Sequence, residues 1–430
     1  MRRFYTLLLY LIAPLALVRL WWRGRRNPGY YQRWRERLGD VPPPATGPLI
    51  WIHAVSVGEA QAAQPLVRRL QSEFPEYGVL ITTTTPTGAE TVRRLFNSDV
   101  EHRFFPFDLP PFVARFLDRI RPSVLLIMET EIWPNLLAAC EQRGIPVGLV
   151  NARMSERSAR GYGWVQPLTR DALARLSFIA AQGEADVARL RDLGADPADI
   201  IQSGSLKFDI RLPASVPEQA EILRLSWGLD RHVWVAASTH DGEEEQILAV
   251  HRQVLEVFPN ALLVLVPRHP ERFDGVVQLV REKGFSLLRR SEHLNCEPDC
   301  QVFIGDTMGE LPVFLAAADL AFIGGSLVEV GGHNLLEPAA LGVPVLFGPW
   351  MFNFALIADL FVEQQAGCQV RDAAHLGEML LAWFRDPQER ARVGDNGRRV
   401  VESNRGALER VMTAVRGLLV TDMGRDRRSP

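Results

Sequence analysis

Residues 302–350 read VFIGDTMGELPVFLAAADLAFIGGSLVEVGGHNLLEPAALGVPVLFGPW, and the pattern in this stretch recurs along the chain. Three short apolar runs, VFIG, LAFIGG and VPVLFG, end in glycine and lead into a polar turn. A strand that passes through a glycine turn into a helix directs backbone N–H groups and a helix dipole at one point, which suits a phosphate. Glu337 precedes Pro338 in the first turn of a predicted helix, where a carboxylate can accept hydrogen bonds from a ribose diol. The stretch predicts a nucleotide-binding site.

Length and charge bound the class of protein. A chain of 430 residues with 47% hydrophobic content can bury a full core, and two domains are expected. The net charge of −3 conceals an asymmetry, because residues 1–40 hold nine arginines but only Glu36 and Asp40 as acids. The remaining chain is therefore acidic, which argues against a nucleic-acid binder.

The four cysteines, Cys140, Cys296, Cys300 and Cys368, form no C-x-x-C pair, so a reducing compartment without a disulfide framework is expected. His293, Cys296 and Cys300 do not have a zinc-site spacing, and a surface loop is the favoured interpretation of that segment. The chain has only two lysines, Lys207 and Lys283, against 46 arginines, which draws attention to each lysine.

The amino-terminal segment has the composition of a membrane anchor. Residues 4–18, FYTLLLYLIAPLALV, are apolar throughout, and residues 20–22 extend the run past Arg19. At ~1.5 Å per residue, a helix of this length nearly matches a hydrocarbon core of about 30 Å, with a kink expected at Pro14.

The flanks of this segment favour an anchor over a cleaved signal peptide or a buried core helix. No small-x-small cleavage site follows, and a core helix would not explain the charges. Arg2 and Arg3 precede the run, whereas six arginines follow it: Arg23, Arg25, Arg26, Arg33, Arg35 and Arg37. This excess predicts that the body is cytoplasmic, and whether the anchor spans the membrane or lies in one leaflet stays open.

The body reads as two series of strands alternating with helices, which predicts parallel sheets covered on both faces. After a linker at residues 41–48, the first series is LIWIHAV, GVLITTT, SVLLIMET, IPVGLVN, LSFIAAQ and DIIQSGS. Prolines at residues 208–217 break the rhythm, and the second series is VWVAAST, ALLVLVPR, SLLRRS, QVFIGD, LAFIGGS and VPVLFG. The segments that begin at Trp51 and Trp234 resemble each other: each is a strand, a small polar turn and a Gly-Glu pair at a helix start. Chance similarity between two strand–turn–helix units explains this equally well. We expect an α/β protein of two Rossmann-like domains facing across a cleft, with ligands beyond the carboxyl ends of the strands.

Candidate catalytic residues follow strands of the first series. Glu59, in SVGEA, is placed to act as a general base, although helix capping is an equally plausible role. His53 is expected to be a packed strand residue, and the threonines of residues 82–87 to bind a polar ligand or to cap a helix. Glu129 and Glu131 point the same way if their strand persists, and like charges at close range favour a functional role.

Two cations complete the candidates of the first series. Lys207, in GSLKFD, lies where the two domains must meet and can neutralise a phosphate or a carboxylate. Arg153, in NARMS, is a weaker candidate of the same kind.

In the second series, polar residues at successive strand ends form an ordered set. Arg268 follows a buried strand between prolines and can pair with a phosphate. The stretch Met308-Gly309-Glu310 opens a helix and can supply N–H groups, and Asn334 and Glu337 complete the set.

The motifs SVGEA, ETEIWPN, NARMS, GSLKFD, PRHPERF, GDTMGEL and GGHNLLEPAALGVPV together resemble those of the 3-deoxy-D-manno-octulosonic acid (Kdo) transferases of lipopolysaccharide synthesis. The resemblance runs from the anchor to about residue 365, and the tail RDRRSP matches no motif of the family. It implies the glycosyltransferase-B fold, CMP-Kdo as donor, and a lipid A precursor (lipid IVA) on the cytoplasmic face of the inner membrane as acceptor. It also implies inversion at the anomeric carbon and no metal or other cofactor, consistent with the lack of a D-x-D element in the body.

The same resemblance assigns roles and domains. Glu59 would be the base, and Glu129 and Lys207 would stabilise charge in the transition state. CMP would be held by Pro267, Arg268, His269, Met308, Gly309, Glu310, Asn334, Leu335, Leu336 and Glu337. The domains would be an anchor at 1–40, an acceptor domain at 41–212, and a donor domain at 213–430 whose last helix can pack back on the first.

Two alternatives stay open. A lipid A disaccharide synthase-like or 2-epimerase-like enzyme would share the architecture but use a UDP donor. A non-catalytic protein would bind CMP-Kdo without turnover, although the carboxylates at Glu59 and Glu129 speak against it.

Overall fold

The computed structural model describes residues 1–26, 28–45, 47–210, 212–292, 296 and 299–426. His293 of the suggested metal cluster and the end of the RDRRSP tail lie outside these residues. The chain divides into two compact units, Met1–Asp209 with Arg405–Pro430, and Ile210–Asn404.

The first unit is built on a parallel sheet of seven strands with helices between them. The chain starts with α1 (Arg2–Arg26), which runs as one helix through Pro14. The strands are β1 (Leu49–His53), β2 (Gly78–Thr83), β3 (Glu101–Phe104), β4 (Val124–Met128), β5 (Val147–Ala152), β6 (Phe178–Ala181) and β7 (Ile200–Gln202). The helices are α2 (Val57–Ala62), α3 (Gln64–Glu73), α4 (Pro86–Phe96), α5 (Pro110–Ile120), α6 (Pro134–Gln142), α7 (Glu156–Gly163), α8 (Gln166–Leu173) and α9 (Glu184–Asp192). Short 3-10 helices lie at Pro28–Tyr30, Trp34–Leu38, Pro197–Asp199 and Leu206–Phe208.

The strand order is β3-β2-β1-β4-β5-β6-β7. Along β1, Leu49 and Trp51 pack into the core on one face of the sheet and Ile50 and Ile52 into the core on the other. Both faces are covered, which is why the strands read as continuous apolar runs rather than as alternating ones. β3 is not among the strands predicted from the sequence; its residues EHRF alternate between partly buried and buried at the sheet edge.

The second unit repeats this plan. Its helices are α10 (Val216–Trp227), α11 (Glu244–Val257), α12 (Phe273–Glu282), α13 (Leu311–Ala316), α14 (Leu336–Ala340), α15 (Ala355–Glu363), α16 (Ala373–Arg385) and α17 (Pro387–Asn404). Its strands are β8 (Val233–Thr239), β9 (Leu262–Pro267), β10 (Leu287–Arg289), β11 (Val302–Ile304), β12 (Leu320–Ile323), β13 (Val345–Phe347) and β14 (Gly367–Gln369). They pair in parallel in the order β10-β11-β9-β8-β12-β13-β14. The predicted α/β class with two Rossmann-like units is confirmed.

The last helix, α18 (Ala407–Asp426), belongs to the first unit. Val411, Val415 and Leu419 are fully buried in the core beneath β1 and β4. The helix is held at its start by Asp209, whose two carboxylate oxygens accept hydrogen bonds from the N–H groups of Gly406 (2.8 Å) and Leu408 (2.6 Å). The chain therefore returns to the first unit after completing the second.

Cys296 and Cys300 are buried rather than part of an exposed loop, contrary to the prediction. Both lie against Arg231, which donates hydrogen bonds to the sulfur of Cys296 and to the carbonyl of Cys300. Small apolar thiols pack well in such a position. Among the described residues, no three His, Cys, Asp or Glu side chains gather in a way that could hold a metal ion.

Candidate active site

The strand order of the first unit reverses between β1 and β4. β1 and β4 are neighbours in the sheet, but the chain leaves β1 toward β2 and leaves β4 toward β5. The loops that follow these strands diverge, and ligands of open α/β sheets bind at such a point. Glu59 follows β1 and Glu129 follows β4, so the sheet brings the two predicted catalytic carboxylates to the same edge.

Glu59 and the N-cap residue Ser56 together cap the start of α2. The Ser56 hydroxyl accepts a hydrogen bond from the Glu59 N–H (3.2 Å) and donates one to Glu59 Oε1 (2.9 Å). Glu59 Oε2 accepts a further bond from the Val55 N–H at 2.7 Å. The predicted capping role is therefore correct, and it also fixes the orientation of the carboxylate. Each oxygen keeps a second lone pair that can receive a proton.

The surroundings of Glu59 make its carboxylate more basic than usual. Glu59 is only 7% exposed, and this burial raises the pKa of its carboxyl group from 4.5 to about 7. The hydrogen bonds from Val55 and Ser56 oppose the rise, and the negative charges of Glu129 and Glu131 add to it. A carboxylate with a pKa near neutrality is suited to general base catalysis.

Glu129 has a backbone conformation that is unfavourable for glutamate. Its φ is 58°, in the left-handed region, which costs about 1–2 kcal/mol for a residue with a Cβ. The strand β4 ends at Met128, so the expectation that Glu129 and Glu131 share one strand face is wrong. The left-handed residue turns the chain, and burial together with the charge of Glu129 raises the pKa of Glu131. Strained backbone of this kind is concentrated at functional sites.

The loop carrying Lys207 folds back toward the centre of the sheet. β7 is an edge strand, yet the N–H of Leu206 donates to Asn151 Oδ1 (3.1 Å) at the end of β5, two strands away. Asn151 is fully buried, has φ 57°, and lies where the pairing of β5 with β6 shifts register. In the NARMS motif, sequence analysis favoured the exposed Arg153 and missed Asn151, although a buried asparagine at a strand end is an unusual choice.

Arg37 is a second residue that sequence analysis did not single out. It is 5% exposed, its guanidinium lies 4.4 Å from the centre of the Phe104 ring, and it donates to the Thr84 carbonyl (2.8 Å). Thr84 in turn donates to the carbonyl of Val55, whose N–H holds Glu59. Burial lowers the pKa of Arg37 to about 10. A buried cation is thus connected to the loop that carries Glu59.

The other predicted polar residues of this unit have structural roles. His53 is fully buried, stacks on Phe105 with ring centres 3.8 Å apart, and has its pKa lowered to about 3 by burial. The hydroxyl of Thr82 accepts a hydrogen bond from the Trp51 indole N–H (2.8 Å), and that of Thr85 caps α4 through the N–H of Gly88 (3.1 Å). His53 is a packed strand residue, as predicted.

In the second unit the strand order reverses between β8 and β12. Glu243 joins the loops that follow these two strands. Its side chain is fully buried and accepts four backbone hydrogen bonds. The donors are the N–H groups of His240 (3.1 Å), Gly325 (2.7 Å), Ser326 (2.9 Å) and Leu327 (2.9 Å). The carboxylate therefore shapes the glycine loop after β12. Gly324 has no room for a Cβ, which would lie 2.7 Å from the Ser238 carbonyl oxygen.

A group of histidines lies at the same strand ends. The Nε2 atoms of His240 and His333 are 2.8 Å apart, their rings are parallel within 9°, and the His269 ring centre lies 5.4 Å from that of His240. Burial lowers the pKa of His333 to about 3, and the positive charge of Arg268 adds to this effect. His333 is therefore a neutral imidazole, and one of the two rings donates a hydrogen bond to the other. Of these three histidines, only His269 is among the residues predicted from the sequence. Arg268 follows the buried Pro267 and donates its N–H to the Thr239 carbonyl (3.0 Å).

The predicted Met308–Glu310 segment forms a turn before α13. Gly309 has φ 86°, a conformation that glycine adopts without strain, and the Met308 side chain is exposed. The Glu310 carboxylate pairs with Arg290 at 2.7 Å and accepts a hydrogen bond from the Thr307 hydroxyl.

The predicted Asn334–Glu337 segment forms the start of α14. Asn334 donates its side-chain amide to Glu337 Oε1 (3.2 Å) and accepts from the Leu336 N–H (3.0 Å). Leu335 and Leu336 are fully buried, which anchors this segment in the core of the second unit. Burial raises the pKa of Glu337, and the charge of Arg268 opposes the rise. α14 is five residues long, so its dipole contributes less to anion binding than the sequence pattern suggested.

Comparisons with known proteins cover both units. A family model described as 3-Deoxy-D-manno-octulosonic-acid transferase (kdotransferase) matches residues 32–210, and one described as Glycosyl transferases group 1 matches residues 230–400. The UDP-GlcNAc 2-epimerase of Neisseria meningitidis, solved bound to UDP-GlcNAc, superposes with a TM-score of 0.53 at 14% identity, covering 86% of this chain and 99% of its own. That likeness concerns the fold alone.

Two relatives are similar over almost the whole chain. A 3-deoxy-D-manno-octulosonic acid transferase of Haemophilus influenzae is 41% identical over 97% of this chain and 99% of its own length. A protein of the same description from Bordetella pertussis is 37% identical over 96% of this chain and 98% of its own. Identity at this level over nearly the full length of both chains confirms the resemblance seen in the motifs. The chain belongs to the 3-deoxy-D-manno-octulosonic acid transferase family, glycosyltransferases of lipopolysaccharide biosynthesis.

Proposed function

We propose that the protein is an inverting transferase that moves Kdo from CMP-Kdo to a hydroxyl of a lipid A precursor, with Glu59 as the general base. The observation that carries this proposal is the buried Glu59 carboxylate, whose pKa is raised to about 7 at the strand-order reversal of the first unit. The family membership supports Kdo as the transferred group. An acceptor hydroxyl needs such a base because it is far too weak an acid to ionise by itself.

In the proposed reaction, Glu59 takes the proton of the acceptor hydroxyl as its oxygen attacks the anomeric carbon of Kdo. The bond between that carbon and the CMP phosphate oxygen breaks, and CMP leaves with the bonding electrons. Attack from the side opposite the leaving group inverts the anomeric configuration. Glu129 would stabilise the positive charge that develops on the sugar, and Lys207 the negative charge of the departing phosphate.

For the donor, we propose that Arg268 pairs with the CMP phosphate and that Glu337, oriented by Asn334, accepts hydrogen bonds from the ribose hydroxyls. Pro267 and His269 would flank the phosphate, and the turn Met308–Glu310 would face the nucleotide. Leu335 and Leu336, which are fully buried, would hold Asn334 and Glu337 in place for CMP. Arg268 and Lys207 provide the positive charge in this scheme, which calls for no metal ion or other cofactor.

We also propose that the protein works at the cytoplasmic face of the inner membrane. Among the described residues, α1 alone has the length and apolar composition of a membrane-crossing helix. Its arginine-rich carboxyl-terminal end suits an anionic lipid surface, and the acidic body is unsuited to nucleic acid.

The proposed function is tested by incubating the purified full-length chain with CMP-Kdo and lipid IVA and analysing the lipid by mass spectrometry. We expect products larger than lipid IVA by one or more Kdo groups and the release of CMP. Transfer that needs a UDP-sugar in place of CMP-Kdo would favour a disaccharide synthase-like or epimerase-like enzyme. Binding of CMP-Kdo without any product would indicate a non-catalytic binding protein.

The activity should depend on pH through Glu59. Because burial raises its pKa from 4.5 to about 7, the carboxylate is protonated, and inactive as a base, below neutrality. We expect kcat/KM to fall by about tenfold per pH unit below this pKa and to level off above it. In Glu131→Gln one of the negative charges that raise the pKa of Glu59 is lost. The fall in kcat/KM should therefore begin at a lower pH in this variant. A flat profile between about pH 5 and 8 would contradict the role of Glu59.

A further inference from the structure

The start of α1 and the segment that follows α1 are held by the same part of the first unit. Near the start of the helix, the Tyr5 hydroxyl donates to Asp108 Oδ2 (3.0 Å) and the Thr6 hydroxyl donates to Asn135 Oδ1 (2.9 Å). Asp108 is 4% exposed and also caps α6, accepting hydrogen bonds from the N–H groups of Asn135 (3.1 Å) and Leu136 (2.7 Å). The start of α1 is therefore bound to the interior of the folded unit.

The segment that follows α1 is bound to the strand just before Asp108. Arg33 pairs with Glu36 at 2.7 Å and donates to the carbonyl of His102, and Glu36 Oε2 accepts the Phe104 N–H at 2.7 Å. Phe104 and Asp108 are separated by at most ~14 Å of chain. Residues 5 and 36 thus contact one short stretch of the unit.

These contacts are incompatible with a helix that crosses the bilayer. Residues 6–26 span ~30 Å as a helix, about the thickness of the hydrocarbon core. If the end at Arg26 lay on the cytoplasmic side, Tyr5 would emerge on the far side, away from Asp108. In the reverse orientation, the seven residues from Arg26 to Arg33 reach at most ~25 Å and could not return across the core.

The burial pattern of α1 agrees with a helix that lies along the unit. The partly or fully buried positions fall within an arc of about 100° on one side of the helix: Arg2, Tyr5, Thr6, Leu9, Ala13, Leu20 and Gly24. The opposite side is a continuous exposed apolar strip: Phe4, Leu7, Leu8, Leu11, Leu15, Val18 and Trp22. The buried side is also largely apolar, which explains why the sequence reads like that of a spanning helix.

We propose that α1 lies in the plane of the cytoplasmic leaflet, with the exposed apolar strip among the acyl chains and the opposite side on the first unit. Its partner is one leaflet of a bilayer that contains anionic phospholipid. The exposed Arg19 and Arg25 border the strip at its carboxyl-terminal half, where they meet the head groups. This inference rests on the proposed membrane attachment and not on the transfer chemistry.

The arrangement has a consequence for the proposed acceptor site. α6, which Tyr5, Thr6 and Asp108 hold at its start, follows directly after the loop that carries Glu129 and Glu131. An in-plane α1 would thus hold this loop beside the leaflet, where a hydroxyl of a lipid-anchored acceptor is found.

The arrangement is tested by cysteine labelling in cells. Arg3 and Arg35 are both exposed, and Arg35 serves as the matched control because it follows the anchor. Arg3→Cys and Arg35→Cys are each made in the full-length chain carrying Cys368→Ser, since the other three cysteines are buried. Intact spheroplasts are treated with a membrane-impermeant maleimide, and a second sample is treated after solubilisation in detergent.

We expect neither variant to be labelled in intact spheroplasts and both to be labelled equally in detergent, with the protein in the membrane pellet. Labelling of Arg3→Cys alone in intact spheroplasts would show a spanning helix and overturn the proposal. If Arg3→Cys stayed unlabelled in detergent, position 3 would not be exposed as the structure has it, and the proposal would be overturned as well. Recovery of the chain in the soluble fraction would refute the membrane partner, whereas the transfer assay with lipid IVA in detergent reports separately on the proposed function.

Discussion

Glu59→Gln is expected to lower kcat for Kdo transfer by about 10²–10⁴-fold, the usual contribution of a general base. Glutamine keeps an oxygen that can accept the Val55 N–H and is itself a residue found in capping boxes, so α2 should retain its start. It cannot take a proton from the acceptor hydroxyl. CMP-Kdo binding, measured by calorimetry, should stay unchanged because the donor contacts are proposed in the second unit.

Glu184→Gln is the matched control for this variant. Glu184 is also in the first turn of a helix of the same unit, but it is exposed. Its replacement should leave kcat unchanged. If Glu59→Gln retained full activity, or if it lost activity together with thermal stability, Glu59 would be a capping residue alone.

Glu243→Ala should destabilise the second unit by at least about 3 kcal/mol, because it leaves four N–H groups without their acceptor. Two of them, of Gly325 and Ser326, are buried, and each buried orphaned donor costs roughly 1–3 kcal/mol. A loss of this size is a large part of the stability of an ordinary domain. The glycine loop after β12 should loosen as well, so CMP binding should weaken. Urea unfolding and calorimetric titration with CMP measure the two effects.

Glu245→Ala provides the control from the next exposed position along the chain. Glu245 lies in the first turn of α11, and its 4.0 Å ion pair with Lys283 is solvent-exposed. Its loss should change stability by no more than about 0.5 kcal/mol. Equal unfolding midpoints for Glu243→Ala and Glu245→Ala would contradict the role assigned to the Glu243 carboxylate.

The order of strands and helices could be predicted from the sequence because fully buried parallel strands leave continuous apolar runs between turn residues. For the same reason β3 was missed, since an edge strand such as EHRF buries only alternate residues. The family could also be recognised, because its motifs are contiguous in the chain. Glu59 and Glu129 could be singled out as well, since Glu129 comes directly after the buried strand β4 and Glu59 in the first turn of the helix after β1.

The polar side chains that join distant parts of the chain could not be predicted in this way. Arg37 and Asn151 act through residues about 50 positions away in the chain, at Thr84 and Leu206, and no local pattern marks such pairs. His240 and His333 are 93 positions apart, and only the neighbouring ends of β8 and β12 bring their rings together.

By itself, the sequence determined the α/β class, the two-unit plan, the family and the apolar character of α1, because composition and periodicity record which residues are buried and in what kind of element. Tertiary structure alone decided the basicity of Glu59, which depends on burial and on the charge of Glu129 beyond a neighbouring strand. The proposed in-plane course of α1 also rests on tertiary structure, since a run of apolar residues fits a bilayer core or a leaflet surface equally well. The hydrogen bonds of Tyr5 and Thr6 to Asp108 and Asn135 favour the leaflet surface, and no local pattern marks them because they join residues more than 100 positions apart.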